Sequence, residues 1–178
     1  MHTTSTSHVT ASAASTQVLL SVSSPESLQM REWLTFKLGG EEYGIDILSV
    51  QEIRSYEKPT AMVNAPAVLK GVINLRGIIV PIVDMRIHFN LPEVSYNAFT
   101  VVIVLNVDDS IIGMVIDGVS DVTRFAIGHV KAAPRLANVG HANHIQGIGH
   151  VGDRTLLLLD IQSLIRSTGM GVASSTLQ

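Results

Sequence analysis

The chain predicts an all-β protein with short helices, folded as two similar small β-barrels related by a pseudo-twofold. Three observations carry that prediction. Apolar residues come in short β-branched runs and alternations, the period of strands. Tight-turn signals separate them, at Gly39-Gly40, Asp108-Asp109-Ser110 and Gly152-Asp153. A sequence block also recurs. Tyr43-Gly44-Ile45-x-Ile47-x-x-Val50-x-Glu52-Ile53 matches Ile112-Gly113-Met114-x-Ile116-x-x-Val119-x-Asp121-Val122. Gly71-Val72 lies as far ahead of Asp84 as Gly147-Ile148 lies ahead of Asp160. A groove between two such barrels is a natural binding place.

Taken in order, residues 1 to about 30 are rich in Ser, Thr, Ala and His and read as a flexible tail. Leu19, Leu20 and Leu28 leave room for part of it to dock as a short strand or helix. Leu34, Phe36 and Leu38 alternate with Thr35 and Lys37, so the first strand begins here. The diglycine turns it into a second strand at Glu41–Ile45, and Asp46 is placed to cap a short helix over Ile47–Arg54. Residues 55–70 hold Pro59 and Pro66 and read as a loop.

The stretch Gly71–Asp84 follows, with a buried strand over Ile78–Val83. Pro81 lacks an N–H, which predicts that this strand lies at an edge or carries a bulge. Ahead of it stands the turn Asn74-Leu75-Arg76-Gly77, in which Arg76 is the lone charge between Lys70 and Asp84. Such an arginine is either a recognition anchor or a strand-end residue lying over apolar surface with its head in water.

Asp84 caps a short helix to about Phe89, and residues 90–97 form a polar link. Strands follow at Ala98–Val107, Ile111–Ile116 and Val119–Phe125. Residues 126–144 give little pattern. Ile145–Val151 and Thr155–Leu159 make the last hairpin, Asp160 caps a helix to about Arg166, and residues 167–178 are a second loose tail. The barrels are expected to divide the chain at roughly 31–97 and 98–166.

Composition removes several functions. There are no cysteines, so disulfides and thiol chemistry are absent. The net charge of −3 and the lack of a basic cluster argue against nucleic acid. No apolar run approaches the roughly 20 residues of a membrane span, and Val18–Val22 is too short for a signal peptide. A soluble, cytoplasmic protein is expected. No nucleophile elbow, P-loop, zinc helix or dinucleotide fingerprint is present. His141, His144 and His150 could hold a metal, but no carboxylate or cysteine within their segment completes the shell, and Gly and Asn beside the first two suggest a surface loop. No metal, cofactor or catalytic residue is assigned. A protein that binds other proteins is the reading that remains.

Glu41–Ile47, Val50-Gln-Glu-Ile53, Gly71-Val-Ile-Asn-Leu-Arg-Gly77, Val80-Pro-Ile-Val-Asp84 and Asp117-Gly-Val-Ser-Asp-Val122, in this order, resemble the bacterial chemotaxis coupling proteins of the CheW family. The likeness runs from about Arg31 to Arg166, leaving both tails outside. It implies two five-stranded SH3-like barrels and a non-enzymatic adaptor without cofactor. Such adaptors join the cytoplasmic tips of methyl-accepting chemoreceptors to the regulatory domain of the chemotaxis histidine kinase in membrane-associated arrays. By motif, the resemblance places Val50, Glu52, Ile53, Gly71, Leu75 and Arg76 in the receptor groove, with Val101, Gly113, Val119 and Val122 bearing on it from the second barrel. It places kinase contacts only on outer surfaces of both barrels.

Three alternatives stand beside it. A regulatory-domain fragment of the kinase would share the fold but normally follows dimerisation and ATP-binding domains, which are not seen here. A coupling protein fused to a receiver domain would need more chain after Arg166. A metal-dependent hydrolase built on the histidines would need bound metal.

Overall fold

The computed structural model describes residues 29–133 and 142–168. Among these residues, ten strands form two five-stranded sheets. They are β1 (Met30–Leu38), β2 (Glu41–Asp46), β3 (Val50–Ser55), β4 (Leu69–Leu75), β5 (Ile78–Asp84), β6 (Val101–Val107), β7 (Ser110–Ile116), β8 (Gly118–Ala126), β9 (Ile145–Val151) and β10 (Arg154–Leu159). Two short helices, α1 (Met85–His88) and α2 (Ile161–Ser167), follow β5 and β10. The first sheet runs β8-β1-β2-β10-β9 and the second β3-β6-β7-β5-β4.

These orders correct the division of the chain while keeping its duplication. Each sheet takes strands from both sides of residue 97, so neither sequence half makes a sheet alone. Moving five strands along the chain converts one order into the other. Equivalent details recur: β2 runs parallel to β10 through Gly44↔Leu158, and β7 runs parallel to β5 through Gly113↔Ile82. A Cβ on Gly44 would meet Leu158 and Trp33, and one on Gly113 would meet Ile82 and Val102. The isolated bridges Thr60↔Val72 and Lys131↔Ile148 are likewise equivalent. The two repeats exchange strands because each chain segment crosses to the other sheet after its second strand.

That exchange accounts for the continuous apolar runs. Ile103, Leu105 and Val107 of β6 face a central core shared with Leu34, Phe36 and Leu38 of β1, whereas Val102 and Val104 face a separate core with Leu75, Val80 and Ile82. A strand buried on both faces needs no polar alternation. The first sheet has the corresponding small core of Trp33, Phe125, Leu156 and Leu158.

Two local readings change. Only Ile47–Ser49 is helical, as one 3-10 turn capped by the Asp46 carboxylate, which accepts from the Leu48 N–H; Val50–Ser55 is strand. The alternation of half-buried Val50, Glu52 and Arg54 with exposed neighbours suits an edge strand on β6. Pro81 lies in an internal strand. The parallel ladder to β7 begins only at Ile82, so the proline removes no bond from it, and the irregularity sits in β4 between Leu69 and Gly71. Met30 belongs to β1 and Ser167 to α2, so the first strand and the last helix of the described residues reach one residue beyond 31–166 at each end. Most of both tails and residues 134–141 fall outside the described residues.

Candidate functional site

Arg76 sits at the tip of the β4–β5 hairpin with φ +51°, a left-handed conformation that is costly for a residue with a Cβ. Gly77 follows at φ +91°, and its N–H donates to the Asn74 side chain at 2.7 Å, which holds the turn. This geometry directs the guanidinium to the opposite edge of the second sheet. Arg76 Nη2 donates to Glu52 Oε2 at 2.6 Å, while Arg54 Nη1 lies 3.8 Å from the other Glu52 oxygen. The bond spans the two end strands of the sheet, and the Arg76 side chain stays 73% exposed. Ile53 on β3 and Ile78 and Ile79 at the start of β5 are exposed. Exposed isoleucines therefore flank both partners of the ion pair in the chain, and apolar side chains near a planar guanidinium are the residue types that protein-binding surfaces use.

The remaining residues named by motif take several positions. Val50 is half-buried against the central core at the start of β3, and Val101 packs there from β6. Leu75 is buried in the second sheet's own core and offers no surface. Gly71 is buried at φ +135°, where a Cβ would lie 2.1 Å from the Thr60 carbonyl oxygen. Gly113 is buried where Ile82 and Val102 close over it. These three shape the sheet that presents Arg76 and Ile53. Val119 and Val122 are exposed on β8, an end strand of the other sheet. There Val119 shares a cavity of about 540 Å³ with Phe99, itself 78% exposed, and with Lys37 and Glu42.

One arrangement escaped the sequence. Arg86 on α1 is 1% exposed yet charged. Its Nε and Nη2 donate to the two oxygens of Asp84 at 3.0 and 2.8 Å. Its Nη1 donates to the Ser95 carbonyl and, at 3.2 Å, to Asp117 Oδ1. Tyr96 donates its hydroxyl to Asp84 Oδ2 at 2.7 Å and lays its ring 4.6 Å from the guanidinium carbon. Asp117 in turn accepts from the Gly39 N–H at 2.8 Å, so the network joins the first hairpin turn to α1 and to the crossover between β7 and β8. Asp84 was legible as a helix cap, and its side chain does accept from the Arg86 N–H. The sequence signal for the rest was the arginine two residues later.

Burial alone would push the Asp84 carboxyl up, but hydrogen bonds from Arg86 and Tyr96 and the guanidinium charge outweigh it, leaving the group below its ordinary value. Burial, and then the Asp84 carboxylate beside it, push the Tyr96 hydroxyl up. The Asp84 direction sets a sign. A carboxyl depressed in the folded state binds fewer protons there than when unfolded, so its stabilisation is present above the unfolded value of about 4 and is lost as the pH falls through the folded value. Acid unfolding curves should therefore show a component below about pH 4 that Asp84→Asn removes. An unchanged acid limb in that variant would assign the loss to other carboxylates.

No group of three or more His, Cys, Asp or Glu side chains placed to hold a metal occurs among the described residues. His144 is buried with Nδ1 3.1 Å from the Ser163 hydroxyl, His150 is exposed on β9, and His141 lies outside the described residues. No helix among the described residues is long and apolar enough to cross a membrane.

Comparison with known proteins identifies the family. The family model of the CheW-like domain matches residues 32–169. The chemotaxis protein CheW of Klebsiella aerogenes is 47% identical over 145 residues, covering 82% of this chain and 87% of that protein. The CheW of Treponema pallidum is 34% identical, covering 75% and 81%. The crystal structure of the scaffolding protein TtCheW from Thermoanaerobacter tengcongensis superposes with a TM-score of 0.69 at 22% identity, covering 75% of this chain and 86% of that one, a likeness of fold. With two interleaved five-stranded sheets, a family match over most of its length and close relatives that share it, the chain belongs to the CheW family of non-enzymatic chemotaxis adaptors.

Proposed function

We propose that this adaptor couples the cytoplasmic tips of methyl-accepting chemoreceptors to the regulatory domain of the chemotaxis histidine kinase, working in the cytoplasm beneath membrane-associated receptor arrays. The observation that carries the receptor half is the exposed Arg76 at the hairpin tip, bonded across the sheet to Glu52, with exposed Ile53, Ile78 and Ile79 next to both partners in the chain. A receptor tip is a helical hairpin, and an apolar helix face seats on that surface while the guanidinium fixes its register. Val50 and Val101 back the surface from beneath, Gly71, Leu75 and Gly113 set its shape, and Val119 and Val122 extend it on the neighbouring sheet. The kinase takes a separate outer surface, because an adaptor must hold both partners at once. Residues 31–166 form the coupling unit, and segments 1–30 and 167–178 are outside it.

Co-sedimentation with receptor-containing membranes tests this directly. The kinase regulatory domain should pellet with the membranes only when this protein is added, and soluble receptor fragments should not displace the kinase from it. Strict mutual exclusion of the two partners would make the protein a competitor and overturn the adaptor reading.

A further inference from the structure

The two repeats are not filled alike, and the difference marks a pocket. In the first sheet's core, Trp33 stacks on Phe125 with ring centroids 5.6 Å apart and planes 7° from parallel, packed with Leu156 and Leu158. The same positions in the second sheet are Val102, Tyr56, Val80 and Ile82. Valine replaces the indole. Tyr56 stacks instead on Tyr96, 4.6 Å away, outside the sheet. A cleft of about 230 Å³ remains between end strands β3 and β4, with Ile82, Val102 and Ile73 among its walls. A cavity of about 150 Å³ lined by apolar side chains is enough to take up benzene, so this one has room for an aromatic side chain.

Its charged lining narrows the choice of occupant. Arg54, Lys58 and Glu57 also line the cleft. The cleft continues past Lys58 and Pro59 into a second, largely apolar depression formed by Tyr56, Ala61, Tyr96 and Lys70, whose ammonium lies 5.8 Å from the Tyr96 ring. Three cations against one carboxylate line the joined groove. Extended chain already pairs at one end of it, where Thr60 and Val72 exchange both backbone hydrogen bonds at 2.9 Å on the outer edge of β4. The groove also adjoins the surface described above, since Arg54 lies beside Glu52.

We propose that this cleft is a docking pocket for one aromatic side chain carried on an acidic, extended protein segment, which supplies to the second repeat the ring that Trp33 supplies to the first. Body and polar tip of a tryptophan or tyrosine suit a cleft lined both by Ile73, Ile82 and Val102 and by polar side chains, and flanking carboxylates meet Arg54, Lys58 and Lys70. The inference does not depend on which face the receptor takes.

Methyl-resolved NMR of the full chain, titrated with capped tripeptides, tests it. Acetyl-Glu-Trp-Glu-amide should shift the Ile73, Ile82 and Val102 methyls saturably and leave Leu156 and Leu158 in place. Acetyl-Glu-Ala-Glu-amide should shift none of them. Acetyl-Lys-Trp-Lys-amide should bind roughly tenfold more weakly, the scale of a few exposed ion pairs. Val102→Phe should close the pocket and abolish the response. Should that variant fail to fold, Arg54→Ala with Lys58→Ala leaves the apolar walls intact and should erase most of the preference for the acidic peptide. Absence of a saturable shift at the three methyls overturns the proposal, as does a preference that survives the double variant. Equal binding of acetyl-tryptophan amide alone would make this a small-molecule pocket and overturn the protein-segment assignment.

Discussion

Arg86→Ala is expected to be the most damaging single truncation among the described residues. Its guanidinium is held by two carboxylates and a carbonyl beneath the Tyr96 ring with almost no exposure. Removing one partner of a buried pair strands the other charge, at a cost of about 3–5 kcal/mol. For a chain of this size that lowers the melting temperature by about 6–20 °C. Arg86→Lys keeps the charge but cannot span both Asp84 oxygens, so it should recover only part of the loss. A double variant with Asp84→Ala should be less destabilised than the two single losses added together, because it strands no charge at that pair. Strict additivity in that cycle would show that the network does not act as a unit.

Gly71→Ala should come next. The added methyl would sit 2.1 Å from the Thr60 carbonyl oxygen, on backbone at φ +135°. Overpacking of that kind costs about 1–3 kcal/mol, and backbone unfavourable to a Cβ adds about 1–2 kcal/mol. Gly77→Ala separates the two contributions, since nothing lies within 4 Å of a Cβ there and φ is +91°. It should show the strain without the clash. Receptor binding by Gly71→Ala should fall only as far as the folded fraction falls, which marks a shaping role. Lost binding at full stability would mean that Gly71 touches the receptor.

Much of this architecture was legible because it is local. Turn residues at Gly39-Gly40, Asp108-Asp109 and Gly152 lie at tight turns, all with positive φ, and Asp84 and Asp160 cap α1 and α2. The duplication is legible as well, and it reaches further than local periodicity. The repeat pairs the strand at Val119–Phe125 with Val50–Ile53, where local periodicity favours a helix, and the structure has strand in both places. Strand exchange was not legible, because periodicity gives each strand its faces and not its neighbours. For the site, motif resemblance singled out Arg76 but not its bond to Glu52 across the sheet. Leu75, Gly71 and Gly113 belong to the same motifs and prove to be interior residues. The buried Arg86 network and the uneven filling of the two cores depend on tertiary contacts between distant segments, and no short pattern encodes them.

Arg76 carries the central claim, that a receptor anchor separate from the kinase surface stands at the hairpin tip. The direct measurement is the affinity of Arg76→Ala for receptor fragment and for kinase regulatory domain, taken separately, with a melting curve alongside. Truncating an interface arginine that anchors a partner commonly costs about 2 kcal/mol, roughly thirtyfold in affinity. Its bond to Glu52 is solvent-exposed on the arginine side, and such pairs contribute about 0–1 kcal/mol to stability. The account therefore predicts receptor binding weakened about thirtyfold, partial recovery in Arg76→Lys, near-normal kinase binding and a near-normal melting temperature. Equal losses toward both partners, or a variant that no longer folds, would place Arg76 in the scaffold and contradict it.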